Sequence, residues 1–444
     1  MTDNHIFELE DNDEDVALVP DKVMPAVEAA AEKKDIGTCI VVFEVCRVSY
    51  WPKFGGHQMK TSTDRILTTH VGSLPRPDDL VALLHKKDRS EPYDEAEFDA
   101  IVTKSVDDIV ARQVKIGIDL VSDGEMSKIS YATYLKDRLN GFDGTATENR
   151  AAADLLEFID YARRLVEQGN RPSTTLEGLQ GPACDGPLSV RDEAPLQKDL
   201  ANFKAAVGRH HPLEGFLTAS SPGVVSVFLQ NQYYPDDDAY LEALAGILKE
   251  EYEAIVASGA VLQLDCPDLA MGRHIVHRKK SNSEFRKVAA RHIDVLNAAT
   301  ANIPQKSMRI HLCWGNYHGP HNHDIPVSEI LDLVYGARPH AIALEGANPR
   351  HEHEWEVFDE HPLPDSKVVI PGVIDSTSNF IEHPKLIAQR IGRYAGKVGR
   401  ERLIAGSDCG FATFAERPAV HPDIAWAKLA ALVEGAEIAS RELW

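Results

Sequence analysis

From about residue 65 to the C-terminus, short apolar runs alternate with longer amphipathic stretches. Eight runs read as β-strands: 66–70, 119–122, 215–219, 261–265, 308–312, 341–344, 368–373 and 402–405. Between most of them apolar residues recur at helical spacing, most clearly at 97–116, 239–257, 283–299, 327–335, 384–398 and 424–438. Eight strands alternating with helices predict an α/β fold, a (β/α)8 TIM barrel. Segment 140–213 is too long for a simple connection. It reads as an insertion between strands 2 and 3, carrying helices at 151–167 and 196–207. An open doubly wound sheet is the other arrangement, but no Gly-x-Gly-x-x-Gly follows a strand, which argues against a dinucleotide-binding version.

The beginning of the chain differs. Residues 3–15 include Glu8, Glu10, Asp11, Asp13, Glu14 and Asp15, and the first 36 residues show little periodicity. Such a segment has too little apolar surface to offset its ordering entropy. A short strand-like run at 39–48 and a Pro/Gly stretch at 52–56 follow. The reading is an acidic N-terminal extension over residues 1–58, largely disordered, and a barrel over 59–444.

Charge narrows the function classes. The chain has 47 basic and 69 acidic residues, a formal net charge of −22. That balance argues against binding nucleic acid or an anionic membrane surface. No apolar run reaches the roughly 18 residues of a membrane span. The six cysteines, Cys39, Cys46, Cys184, Cys266, Cys313 and Cys409, have no regular spacing. The chain therefore reads as cytoplasmic, with its thiols reduced.

In a barrel, chemistry gathers at the carboxyl ends of the strands. There the sequence places Gly72 and Ser73, Glu125, Asp265, His311 and Cys313, Glu345, Asp375 and Cys409. Residues i and i+2 of a strand share a face, so His311 and Cys313 converge. With Cys409 they offer an imidazole and two thiolates, and Glu345 a possible oxygen. Two sulfurs, one nitrogen and a displaceable ligand suit a catalytic zinc. A buried histidine beside two inert cysteines would show the same spacing. His318, His321 and His323 form a second, loop-borne candidate.

At these residues the chain resembles the cobalamin-independent methionine synthase family, specifically its C-terminal catalytic barrel. The resemblance is carried by Thr68-Thr69-His70-Val71-Gly72-Ser73-Leu74-Pro75-Arg76-Pro77, Ser122-Asp123-Gly124-Glu125, Leu262-Gln263-Leu264-Asp265-x-Pro267, His311-Leu312-Cys313, Ala343-Leu344-Glu345 and Gly406-Ser407-Asp408-Cys409-Gly410. It implies one Zn2+ on His311, Cys313, Glu345 and Cys409, and alkyl transfer to a small-molecule thiol, homocysteine in the family, to give methionine. It further implies that Glu125 and Asp265 hold the amino group of that thiol and that Gly72 and Ser73 hold its carboxylate.

The departures fall on the donor side. The family's proton-donating histidine after strand 7 is missing, where this chain has Asp375-Ser376-Thr377-Ser378. Asp375 could act as the acid only if burial kept it protonated. The family's tryptophan after strand 3 is also missing, where Phe228, Gln230, Asn231, Tyr233 and Tyr234 stand. Asp265-Cys266-Pro267 replaces Asp-Glu-Pro. Two alternatives therefore stay open. One is alkyl transfer to another thiol, such as epoxide opening by coenzyme M, with Arg76 or Arg273 serving an anionic acceptor. The other is a non-catalytic zinc- or thiol-binding barrel.

Overall fold

A computed structural model describes residues 58–148, 150–167, 181–415 and 419–444. All but the last residue of the proposed acidic extension lies outside the described residues. Eight parallel strands form the central sheet: β1 (Leu67–Thr68), β2 (Leu120–Val121), β3 (Glu214–Ser220), β4 (Val261–Asp265), β5 (Met308–His311), β6 (Ala341–Leu344), β7 (Val368–Ile374) and β8 (Ile404–Ser407). Their order is β1-β8-β7-β6-β5-β4-β3-β2. The two ends meet where Asp119 N donates to Thr68 O at 3.2 Å and Thr69 Oγ1 donates to Leu120 O at 3.1 Å. The ring is a (β/α)8 barrel, with every strand found where the hydrophobic runs placed it.

Each strand is followed by a helix: α1 (Glu95–Ile116), α2 (Ala194–His210), α3 (Asp237–Ala257), α4 (Asn282–Ala299), α5 (Leu331–Tyr335), α6 (Val357–Glu360), α7 (Pro384–Val398) and α8 (Pro422–Leu443). Local chemistry sets their ends. Asp94 caps α1 by accepting from the backbone of Ala96 and Glu97, and Gly117 ends it at φ 94°. Ser281 and Glu284 form a capping box on α4. Two expectations change. The helix read at 196–207 is part of α2, a barrel helix rather than an insertion helix, because its buried Leu200, Phe203 and Ala206 give it an inner face. The helix read at 151–167 breaks at Phe158 into Ala153–Glu157 and Ile159–Glu167.

Strand pleating sorts the barrel interior into levels. At the amino end Leu67, Leu120, Phe216, Val261, Ala341, Val368 and Ile404 pack with Met59, which plugs that end. Two residues further along β4 and one along β5, the interior turns polar with Gln263 and Arg309. The Arg309 guanidinium lies 3.5 Å from the Phe216 ring centroid and donates to Gln263 Oε1 at 2.7 Å and His70 O at 2.6 Å. The next level holds Asp265 and His311.

Candidate metal and thiol site

His311 and Cys313 leave the barrel on one extended segment, and Cys409 reaches the same point from just past β8. Their ligand atoms lie within 4.8 Å of one another, and all three residues are buried. Cys313 Sγ and Cys409 Sγ are 3.7 Å apart. His311 Nδ1 faces Asp265 Oδ1 at 3.3 Å, while its Nε2 is buried without a hydrogen-bond partner. A buried, unpaired imidazole nitrogen is costly unless something satisfies it, and two adjacent thiol sulfurs are soft donors. The three residues fit a metal ion.

Support comes from below. Asp265 Oδ1 accepts from Gln263 Nε2 at 2.7 Å, and Gln263 is in turn held by Arg309. Such a carboxylate behind a ligating imidazole fixes ring orientation and raises basicity. Charge is shared within the trio. The hydrogen bond from Cys313, with His311 nearby, pulls Cys409 down to about 5 against the effect of burial. The same contact and burial push Cys313 up. Burial opposes a charge on His311, but Asp265 and Cys409 hold its pKa up at about 10.

Glu345 does not join this cluster. Its carboxylate accepts from Trp314 N and from Asn348 Nδ2, both at 2.8 Å, so the loops after β5 and β6 occupy both its oxygens. The loop histidines form no metal cluster among the described residues either. His321 pairs with Asp324 and His323 with Glu157, while Tyr161 donates to His318 O. They fasten the insertion to the barrel.

Beside the trio opens a cleft lined by Ser73, Glu125 and Asp265 among others. Glu125 Oε1 accepts from Thr218 Oγ1 at 3.0 Å, and its Oε2 is buried without a partner. Burial raises the Glu125 carboxyl to about 7, against the pull of Lys128. Gly72 serves differently from expectation. Its N–H donates to His70 Nδ1 at 3.1 Å and is not offered to a ligand. Its φ is 140°, and a Cβ there would stand 2.9 Å from Glu125 Oε1. Glycine is needed for room.

Asp375 is corrected more strongly. It does not line the cleft. Its Oδ1 accepts from Thr377 N and Oγ1 at 2.8 and 2.9 Å. Burial would raise its pKa, but hydrogen bonds from Ser378 and Thr377 hold it below the usual carboxylate value. It is an ionised turn-former, unsuited to donating a proton. Of the residues after β3, Phe228 lines the cleft, whereas Gln230 and Asn231 pair with Ala183 and Cys184. Sequence reasoning missed Tyr131, Asn316 and Phe414, which also line it. Nothing in their local spacing marks them.

The family described as cobalamin-independent synthase, catalytic domain, matches residues 200–435. This chain belongs to that family. The matched span holds Asp265, His311, Cys313, Glu345 and Cys409. The chain is similar to the methionine synthase of Sulfolobus acidocaldarius, 25% identical over 383 residues that cover 85% of this chain and 93% of that one. It is also similar to the 2-hydroxypropyl-CoM lyase of Xanthobacter autotrophicus, 26% identical over 414 residues, 85% and 96% of the two chains. Among solved structures, a B12-independent methionine synthase from Shewanella sp. W3-18-1, in complex with selenomethionine, has a TM-score of 0.63 at 20% identity. That match covers 85% of this chain and 99% of the other and bears on the fold.

Proposed function

We propose that this family member is a zinc-dependent methyltransferase that alkylates the thiol of homocysteine. The observation that carries the choice of acceptor is the charge of the cleft. Two carboxylates, Glu125 and Asp265, line it, and among the described residues no lysine or arginine does. Arg76, a possible partner for a sulfonate, directs its guanidinium at Glu125 O and Ala412 O. Arg273 is turned toward Asn282 and the backbone of His277 and Arg278. An ammonium group matches this cleft, and a coenzyme M sulfonate does not.

Zinc is supported by the sulfur spacing. Zn–S bonds of about 2.3 Å at a tetrahedral angle put two sulfurs about 3.8 Å apart, against the 3.7 Å seen here. His311 Nε2, Cys313 Sγ and Cys409 Sγ would hold the ion; for Glu345 to join them it would have to give up its hydrogen bond from Trp314 N or from Asn348 Nδ2. When bound, zinc keeps an acceptor sulfur deprotonated near neutral pH. In this reading Glu125 Oε2 and Asp265 take the amino group, and Ser73, which lines the same cleft, takes the carboxylate. Asn316, fixed by donating to Gly410 O and Thr413 Oγ1 at 2.7 Å each, stiffens the opposite wall. Burial of the trio, at 4–6% exposure, keeps bulk water from the sulfur. The test is calorimetry on the zinc-loaded protein. Homocysteine binding in the micromolar range without coenzyme M binding supports the reading, and the reverse preference overturns it.

A further inference from the structure

We infer that the alkyl donor is a cation, a methyl onium compound in which the methyl group sits on a positively charged sulfur or nitrogen, and that Tyr131, Phe228 and Phe414 form its subsite. This rests on reading the cleft as a thiol-alkylating site and names the other substrate. Three observations converge. The three rings come from separate segments and all line the cleft, half-buried, next to Met271. The Tyr131 and Phe228 rings meet edge to face, with centroids 6.1 Å apart and planes at 83°. The bridge between Ser130 and Phe414 sets Phe414 alongside Tyr131. Aromatic faces at such a rim attract cations, quaternary ones included.

The lining charges agree. The cleft carries carboxylates and, among the described residues, no lysine or arginine. Lys128 is turned away, donating to Thr218 O at 3.0 Å. Among the described lining residues no lysine or arginine is present to pair with a donor bearing several carboxylates. The third observation concerns the leaving group. Asp375, the acid candidate offered by the sequence, is tied into its turn and does not line the cleft, so it supplies no proton to a leaving group there. An onium donor needs none. The acceptor thiolate gives a lone pair to the methyl carbon and the new C–S bond forms. The bond to the onium centre breaks, its electron pair stays on the departing sulfur or nitrogen, and the leaving group departs neutral.

The test has two arms on the zinc-loaded protein. In the first, without acceptor, calorimetry compares tetramethylammonium with tert-butyl alcohol, a neutral molecule of the same tetrahedral shape and heavy-atom count. The cation should bind tighter, and Phe228→Leu or Tyr131→Leu should remove roughly two- to thirtyfold of that preference, while Tyr131→Phe keeps it. Equal affinities for cation and isostere overturn the subsite. In the second arm, homocysteine is supplied with trimethylsulfonium, with glycine betaine, or with methyltetrahydrofolate triglutamate. Methionine formed from either onium donor supports the proposal and tells sulfonium from ammonium. Methionine formed only from the folate overturns it while leaving the acceptor reading intact. Absence of homocysteine binding removes the acceptor reading, and the first arm still decides the subsite.

Discussion

Asp265 Oδ1 stands 3.3 Å from His311 Nδ1, so one carboxylate serves both the candidate ligand and the cleft it lines. Asp265→Asn should therefore have two effects. It should loosen the metal about 10- to 100-fold, the usual cost of losing such a partner, and it should weaken the binding of an amino-thiol. Gln263→Leu, which removes only the support beneath Asp265, should loosen the metal with a smaller effect on the ligand. Chelator competition and ligand calorimetry on both variants check this. Wild-type metal affinity in Asp265→Asn would contradict it.

Cys313→Ala and Cys409→Ala should each abolish stoichiometric zinc, because either change leaves one sulfur and one imidazole. Cys266→Ser should keep it. Cys266 is buried and next to Asp265 in sequence, yet it lies outside the trio. Elemental analysis of the three purified variants decides.

The raised pKa of Glu125 predicts a pH signature. Its carboxyl titrates at about 7 rather than near 4.5 because burial disfavours the charge. A bound ammonium needs the ionised form, so affinity is full above pH 7 and falls about tenfold per unit below it. Methionine is the cleaner probe, since it has no thiol to titrate. Glu125→Gln should bind it about 10- to 100-fold more weakly at pH 8 and show a flat profile between pH 5.5 and 8. A sloped profile in the variant would assign the titration to another group.

Gly72→Ala should damage the acceptor site without touching a ligand residue. The new Cβ would stand 2.6 Å from Thr218 Cγ2 and 2.9 Å from Glu125 Oε1, at a φ of 140°. Strain of this kind costs about 1–3 kcal/mol, and Glu125 must move. Expected outcomes are a lower melting temperature, weaker methionine binding and unchanged zinc content.

Met59→Ala tests the other end of the barrel. Met59 is 5% exposed among the inward-facing residues of the strands, and its N–H donates to Lys306 O at 2.8 Å. Removing a buried methionine side chain costs about 2–5 kcal/mol. Urea unfolding should show a loss in that range with zinc affinity unchanged in the folded protein.

The strands were legible because barrel strands are covered on both faces. Val261–Asp265, Ala341–Leu344 and Val368–Ile374 are buried at every position, and such runs stand out between amphipathic helices. His311 and Cys313 were legible through period two. Gln263 could have been found the same way, two residues before Asp265. Other features depend on loops that meet only after closure. The N–H of Trp314 takes a Glu345 oxygen, and His70 takes the N–H of Gly72. Tyr131, Phe228 and Phe414 share a rim although nearly 300 positions separate the outer two. No local pattern records such meetings. Helix α2 was misplaced for a related reason, since an amphipathic helix inside a long connection looks the same whether it covers the barrel or an insertion.

One candidate ligand, His311, ends β5, Cys313 lies two residues beyond it, and Cys409 follows β8, with β6 and β7 between them in the ring. A chain still being synthesised presents His311 and Cys313 long before Cys409 exists, and the two offer no more than a weak, open pair. Metal loading must then wait for the last strand to seat. The ion acts as a clasp set on a finished ring. Once set, it resists reopening by whatever its affinity and free concentration allow, about 4 kcal/mol at a thousandfold excess over Kd. A cell short of metal would accumulate chains that are folded but unclasped, and these should yield first to heat or protease.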